Sequence, residues 1–123
     1  QATLLEQVLV NLILNARDSI KQRQSREPGL KGLIVLTLQK LPDSRLSIVV
    51  DDNGAGIPAS SMEHLFEPFF TTKPVGKGTG LGLSVSYGII KSMNGTIEAS
   101  SIGMGARFVI ILPEAATATS AVA

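Results

Sequence analysis

The chain has 123 residues, which suits one domain around one core, and its 44% hydrophobic and 17% charged content describes a packed protein, not a disordered one. A net charge of +1 gives no global field for nucleic acid or a membrane surface, and no apolar run is long enough to span a bilayer. The lack of cysteine excludes disulfides, thiolate metal sites and thiol catalysis, and suits a reducing, cytoplasmic setting even if a parent protein is membrane-anchored.

The opening "QATLLEQVLVNLILNA" already reads as helix, so the chain looks cut from something longer. From Leu4 to about Ile20 the apolar residues Leu5, Val8, Leu12, Ala16 and Ile20 fall at helical spacing, with Thr3 and Glu6 as a candidate capping box. "KQRQSREPGLKG" then predicts a loop, broken by Pro28 and Gly29. "LIVLTLQKL" and "RLSIVVDDNG" are β-branched and partly alternating, and predict an antiparallel hairpin around Pro42 and Asp43. "DNGAGIP" is a turn cluster, and residues 60–65 predict a short helix. "FEPFFTTKPVGKGTG" reads as loop, and its Gly, Pro and Thr content predicts a segment unordered without ligand. Leu81 to Met93 has helical spacing, with Leu83, Tyr87, Ile90 and Met93 on one side and Asn94-Gly95 as its stop. "TIEASS" and "ARFVIIL" form a second hairpin across "IGMG". The expected architecture is one α/β domain over residues 1–113, a two-layer sandwich with helices on one face of a mixed, largely antiparallel sheet, followed by a flexible tail at 114–123.

In "GKGTGLGLS" glycine occupies every second position from Gly76 to Gly82. A plain linker would not run into an apolar helix. A P-loop would need Ser or Thr where Gly78 stands, and the dinucleotide fingerprint would need Gly where Leu81 and Leu83 stand. What remains is general physics: small residues let successive N–H groups turn toward one anion, and a helix N-terminus directly behind them adds free N–H groups and partial positive charge. Lys73 and Lys77 add point charges.

Gln7, Asn11, Asn15 and Asp18 share one face of the first helix. Asparagine inside a helix is mildly unfavourable, because its side chain competes for backbone hydrogen bonds. A polar stripe facing water would account for one of the two. Two, four residues apart and beside a phosphate site, suggest a metal role, since an amide oxygen is a hard neutral ligand suited to Mg²⁺; Asn15 is the candidate. In "DDNGAGIP" a carboxylate before Gly-x-Gly is a common turn, but in a pocket Asp52 would accept from an exocyclic amino group and reject a keto oxygen, which selects adenine.

Together, "NLILNARDSI", "DDNGAGIP", "LFEPFFTTK" and "GTGLGLS" resemble the N, G1, F and G2 boxes of the ATP-binding catalytic domain of sensor histidine kinases, members of the Bergerat-fold (GHKL) ATPases. The resemblance covers Leu4 to Pro113, and the "NARDSI" and "EPFFTTK" wording is similar to the nitrogen-regulation type. It implies ATP·Mg²⁺ between the first helix and a mobile lid. Carried over, Asn15 would hold Mg²⁺, with Asn11 supporting it or touching phosphate and Asp18 beside them. Asp52 would bind the adenine amino group, with Gly54, Gly56 and Ile57 beside the base. Phe66, Phe69 and Phe70 would brace a lid of about residues 71–79, so that Phe70, Thr71, Thr72, Lys73, Lys77, Gly78, Thr79, Gly80, Leu81, Gly82 and Leu83 would complete the nucleotide site. Asn11, Asn15 and Lys73 would be the catalytic residues. Gly103 and Gly105 match the last glycine motif, but Ala106 stands where the family often has Thr, which removes a polar contact.

Hydrolysing relatives place a Glu as general base one turn before the metal-binding Asn, where this chain has Asn11, and an amide cannot take a proton. The resemblance therefore implies transfer of the γ-phosphoryl to a histidine on a separate dimerisation domain, with a response regulator downstream and the present chain monomeric. The only histidine, His64, is followed by Leu65 instead of an acidic residue, and reads as an ordinary surface or half-buried side chain. Two other readings stay open: a nucleotide-binding regulatory module that never transfers phosphate, and a hydrolysing or serine-kinase relative on the same fold.

Overall fold

The computed structural model of the protein describes residues 2–68 and 82–113. Helix α1 spans Ala2–Gln24. Val8, Leu12, Ala16 and Ile20, one every four residues, are all buried, so the stripe that predicts the helix is the stripe that packs. The helix exceeds its expected limits at both ends. Ala2 is already helical, so Thr3 lies in the first turn and not at the cap. At the other end the Lys-Gln-Arg-Gln run consists of good helix formers, and Lys21 and Arg23 favour the negative end of the helix dipole. Arg23 also holds Glu27 one turn on at 2.9 Å.

Strands β1 (Ile34–Lys40) and β2 (Leu46–Asp52) form the first hairpin. Its turn is closed by Leu41 N–H donating to Arg45 O at 2.7 Å and by Ser44 in the left-handed region at φ 72°. The short helix α2 covers Ala59–Met62 only, and residues 63–68 continue as turns. Helix α3 (Gly82–Ser92) stops as expected. Asn94 turns left-handed at φ 61°, and the Gly95 N–H reaches back to Ile90 O at 2.9 Å. Strands β3 (Thr96–Ile102) and β4 (Gly105–Leu112) make the second hairpin.

The strand order is β1-β2-β4-β3, and every pair among the described strands is antiparallel. Leu46, Ile48 and Val50 stand opposite Leu112, Ile110 and Phe108. These residues share one core with Val8 and Leu12 of α1, Ile90 of α3 and Met93 just after it, which places both helices over the same face of the sheet. Alternation is cleanest in β4, one of the two central strands. β1 lies at the edge, and its Leu38 is 60% exposed although the sequence signal for a strand there is strong. On the opposite face Arg107 pairs with Asp51 across the β2–β4 register at 2.6 Å.

Connectivity fixes which ends coincide. Thr96 pairs with Ile111 at one end of β4, and Asp52 pairs with Ala106 at the other. Because α3 finishes just before Thr96, its N-terminus points toward the Asp52 end. The C-terminal half of α1 reaches the same end, since Ala55 N–H donates to Ser19 O at 3.1 Å.

Gly105 begins β4 against the end of β2, and a Cβ on it would overlap the Asp52 carbonyl oxygen. Gly88, inside α3, has nothing within 4 Å of a built Cβ. Gly105→Ala is therefore expected to lose about 1–3 kcal/mol through overpacking, and Gly88→Ala to gain about 0.5–1 kcal/mol of helix stability. Urea midpoints at constant slope measure both, and parent-like stability of Gly105→Ala would remove the close approach from the account.

Candidate functional site

Asp52 ends β2, and the chain reverses at once beneath α1. Its Oδ1 accepts the Gly54 N–H at 2.8 Å, closing an Asx turn. Gly54 is buried, and a Cβ there would stand 2.7 Å from Ile20 N, among the main-chain atoms of α1. Glycine is thus required at 54 by the helix of the protein itself, whereas the sequence assigns it to a flat base. The Ala55 N–H also donates to Ser19 Oγ at 3.0 Å. On the other side Ser101 Oγ accepts the Ile57 N–H at 3.0 Å, and Gly56 adopts φ 79°. Asn53 completes the fixture: its Oδ1 accepts Leu33 N–H at 2.8 Å, its Nδ2 donates to Lys31 O at 2.9 Å, and its carbonyl accepts Arg23 Nη1 at 2.7 Å. Residues 52–57 are thereby held from α1, from the loop before β1 and from the β3–β4 hairpin. Ile57 packs on the edge of the core.

The carboxyl of Asp52 titrates above the usual 3.8, chiefly because burial penalises its charge. The main-chain amides of Gly54 and Ala106 pull back, and the neighbouring Asp51 adds a smaller upward push. Acidic neighbours and few donors make a site that welcomes an added N–H donor.

The two asparagines of α1 have different surroundings. Asn11 Nδ2 donates to Ser86 Oγ at 3.1 Å and to Gly82 O at 3.3 Å, and Asn11 Oδ1 accepts Gln7 Nε2 at 3.0 Å. Asn15, half-buried one turn further on, makes no hydrogen bond to any described residue. Asp18 is on the same side of the helix, its Oδ1 3.2 Å from Arg17 Nη2. Asn15 lies between Asn11, tied to the first turn of α3, and Ser19, which touches the loop after Asp52. The order across the surface is Asp52 loop, Asn15, N-terminus of α3.

At that N-terminus Gly82 is exposed with nothing within 4 Å of a built Cβ, so no packing within the described chain requires glycine there. Leu83 is half-buried against the core. Phe66 fills the space between α3 and the sheet, its ring centroid 5.3 Å from Tyr87 and 6.5 Å from Phe108 in an edge-on contact. The expected contributions of Phe69, Phe70, Thr71, Thr72, Lys73, Lys77, Gly78, Thr79, Gly80 and Leu81 lie outside the described residues, as does the tail from 114. His64 is half-exposed and pairs with Glu67 at 2.8 Å, which raises its pKa above 6.5, as the reading of an ordinary surface histidine expects. No cluster of three His, Cys, Asp or Glu able to hold a metal occurs among the described residues.

Sequence reasoning missed Ser19, Ser86 and Ser101, the three hydroxyls that join the site to its neighbours. Only Ser86 left a signal, a polar residue at the position between Leu83 and Ile90 on the buried side of α3.

Residues 1–116 match the family model described as "Histidine kinase-, DNA gyrase B-, and HSP90-like ATPase". The chain is 47% identical over 120 residues to the two-component sensor PprA of Pseudomonas aeruginosa, covering 96% of this chain and 13% of that protein. The chain therefore spans about one eighth of the length of that relative. The catalytic domain of histidine kinase ThkA superposes with a TM-score of 0.72 at 34% identity, covering 91% of this chain and 67% of that one. Full-length ShkA in complex with AMPPNP superposes with a TM-score of 0.73 at 27% identity, covering 89% of this chain and 21% of that one.

The electrostatics of Asp52 have a measurable sign. A carboxyl whose pKa is raised by folding leaves stability intact below 3.8 and withdraws it as pH climbs through the folded value. Asp52→Asn removes the buried charge and keeps an oxygen for Gly54. The ligand-free variant is expected to be more stable than the parent at pH 7, with the difference fading below pH 3.8. Urea unfolding at several pH values reads this, and a gain independent of pH would contradict it.

Proposed function

The chain belongs to the histidine kinase-, DNA gyrase B- and HSP90-like ATPase family, as an ATP-binding catalytic domain of the sensor-histidine-kinase kind, and we propose that it delivers the γ-phosphoryl of ATP·Mg²⁺ to a histidine on a separate dimerisation domain. One observation carries the reading: the Asp52 loop, Asn15 and the N-terminus of α3 follow one another in the order base, metal and phosphates of a nucleoside triphosphate.

The roles follow from the surroundings. Asp52, short of donors, accepts the exocyclic amino group of adenine; a keto oxygen in that place would meet a carboxylate lone pair. Asn15 offers an amide oxygen that bonds to no described residue, and one hard protein ligand, with no carboxylate cage among the described residues, fits Mg²⁺, which keeps waters and shares phosphate oxygens. When bound, Mg²⁺ neutralises charge on the β- and γ-phosphates. The N-terminus of α3 and the open face of Gly82 would receive the phosphates. Asp18, Lys73 and Lys77 would complement this charge pattern. Phe66 supports α3 from beneath, and Ile57 lines the base side.

In the transfer the bond from the β,γ-bridging oxygen to phosphorus breaks, a P–N bond forms to the imidazole, and ADP departs. The protein contributes position and charge neutralisation, with no covalent step of its own. Asn11 cannot act as general base for water. His64, engaged with Glu67, is not the acceptor in this reading. A response regulator then takes the phosphoryl. No helix among the described residues is long and apolar enough to cross a membrane. A domain that draws on cellular ATP would lie on the cytoplasmic side of any membrane that its parent occupies.

Incubated alone with γ-labelled ATP, the chain should remain unlabelled, and label should appear on an added histidine-bearing dimerisation domain from the same parent. Acid-labile label on His64, or none on the added domain, would refute the transfer. Asn15→Ala should abolish the gain in affinity for AMPPNP that Mg²⁺ confers while leaving metal-free binding nearly unchanged. Calorimetry with Mg²⁺ and with EDTA separates the two, and equal losses would remove Asn15 as ligand.

A further inference from the structure

Among the described residues one connected chain of hydrogen bonds crosses between α1 and α3. Gln7 Nε2 donates to Asn11 Oδ1 at 3.0 Å, Asn11 Nδ2 to Ser86 Oγ at 3.1 Å and to Gly82 O at 3.3 Å, and Ser86 Oγ to Gly82 O at 2.9 Å. Ser86 is fully buried, and its hydroxyl both donates and accepts. Within its own helix this hydroxyl brings no advantage. Alanine is the better helix former, and a bond from serine to the carbonyl four residues back slightly weakens and bends a helix. Its benefit lies across the interface, where it presents a fixed acceptor to Asn11.

Apolar contacts such as Val8, Leu12 and Ile90 hold the helices together but do not specify their position along the axis. Hydrogen bonds do, because they weaken steeply with distance and angle. Asn11 grips the start of α3 at Gly82 and Ser86, where the main-chain N–H groups have no acceptor within the helix itself. One turn along α1 from Asn11 stands Asn15. The grip therefore sets the distance between the start of α3 and the Asn15 amide, which bonds to no described residue.

We infer that Ser86, through Asn11, is a positioning residue for the triphosphate: it fixes the N-terminus of α3 relative to Asn15, so that phosphate and metal are met at once. Asn11 is then the strut and Asn15 the ligand, although the two look equivalent in sequence. The inference rests on the reading of the site as an ATP·Mg²⁺ pocket. It extends that reading to a residue that touches no ligand.

Because a merely structural residue would affect all ligands alike, the test compares the two ends of the nucleotide. Ser86→Ala in the full 123-residue chain is titrated with AMPPNP·Mg²⁺ by calorimetry and with adenosine by NMR, which reads millimolar binding. The parent must bind AMPPNP; if it does not, the pocket reading itself fails, separately from this inference. Given binding, Ser86→Ala is expected to weaken AMPPNP·Mg²⁺ about fivefold, the worth of one net hydrogen bond, and to leave adenosine within about twofold. The double variant Asn11→Ala/Ser86→Ala should bind AMPPNP no more weakly than Asn11→Ala alone, since both act through one contact. Gln7→Ala, at an exposed position that leaves the core untouched, should shift AMPPNP in the same direction and less. Unchanged AMPPNP affinity, equal losses for both ligands, or additive effects in the double variant would each overturn the inference.

Discussion

Three backbones meet at the end of β2 with no room for a side chain between them. α1 passes over Gly54 so closely that a Cβ would lie among its main-chain atoms, and β4 begins at Gly105 directly against the Asp52 carbonyl. This crowding orders the rest of the site. It forces the chain to turn immediately after Asp52, so that its carboxylate closes a turn beneath α1 instead of the strand continuing. It also brings Ser19 and Ser101 within reach of the loop, and each fixes one of its amides. A looser packing of α1 on the sheet would keep the same fold and lose the aim of Asp52.

The same packing explains why chemically identical residues on α1 differ in use. A polar face on a helix is a statement about direction, and only the neighbours decide what that direction meets. Asn11 meets the first turn of α3 and is consumed by it. Asn15 is one turn closer to the Asp52 end, past the start of α3, and its amide bonds to no described residue. The engagement of Asn11 also bears on chemistry. Its oxygen already accepts from Gln7, and an amide has no basic site for the proton of water, so neither geometry nor proton affinity favours hydrolysis from this position.

Elements carried by periodicity were legible in the sequence. The buried stripe of α1, the two hairpins, and the left-handed stop of α3 at Asn94 all follow from local pattern or local turn chemistry. The errors were local ones too: the Lys-Gln-Arg-Gln run continues α1 to Gln24 because polar residues of high propensity need no apolar stripe at a frayed end. What could not be read was anything depending on partners distant in the chain. Ser19, Ser86 and Ser101 bond to groups 36, 75 and 44 residues away, and a small hydroxyl has no periodic signature. The reason for Gly54 was equally hidden, since glycine looks the same whether a ligand or a helix excludes its side chain. Motif order proposed the site's membership, and tertiary packing separates, among the described residues, those tied to their neighbours from those left open.

Asp52 shows the conflict this division resolves. An ionised carboxylate in a half-buried site, with only main-chain amides to answer it and Asp51 nearby, is unfavourable for the empty protein. Removal of the charge would stabilise the fold and, in the proposed reading, abolish the feature that distinguishes an amino group from a keto oxygen. The deficit is offset only when a donor arrives, so ligand binding and stability are linked through one residue. That linkage requires the carboxylate to wait, desolvated and correctly oriented, before the base enters; a carboxylate free to swing out to water would recover its hydration and with it lose the discrimination. The turn beneath α1 is what denies it that alternative, and in the proposed reading selectivity at the base end would depend on Gly54 and Ser19 as much as on Asp52 itself.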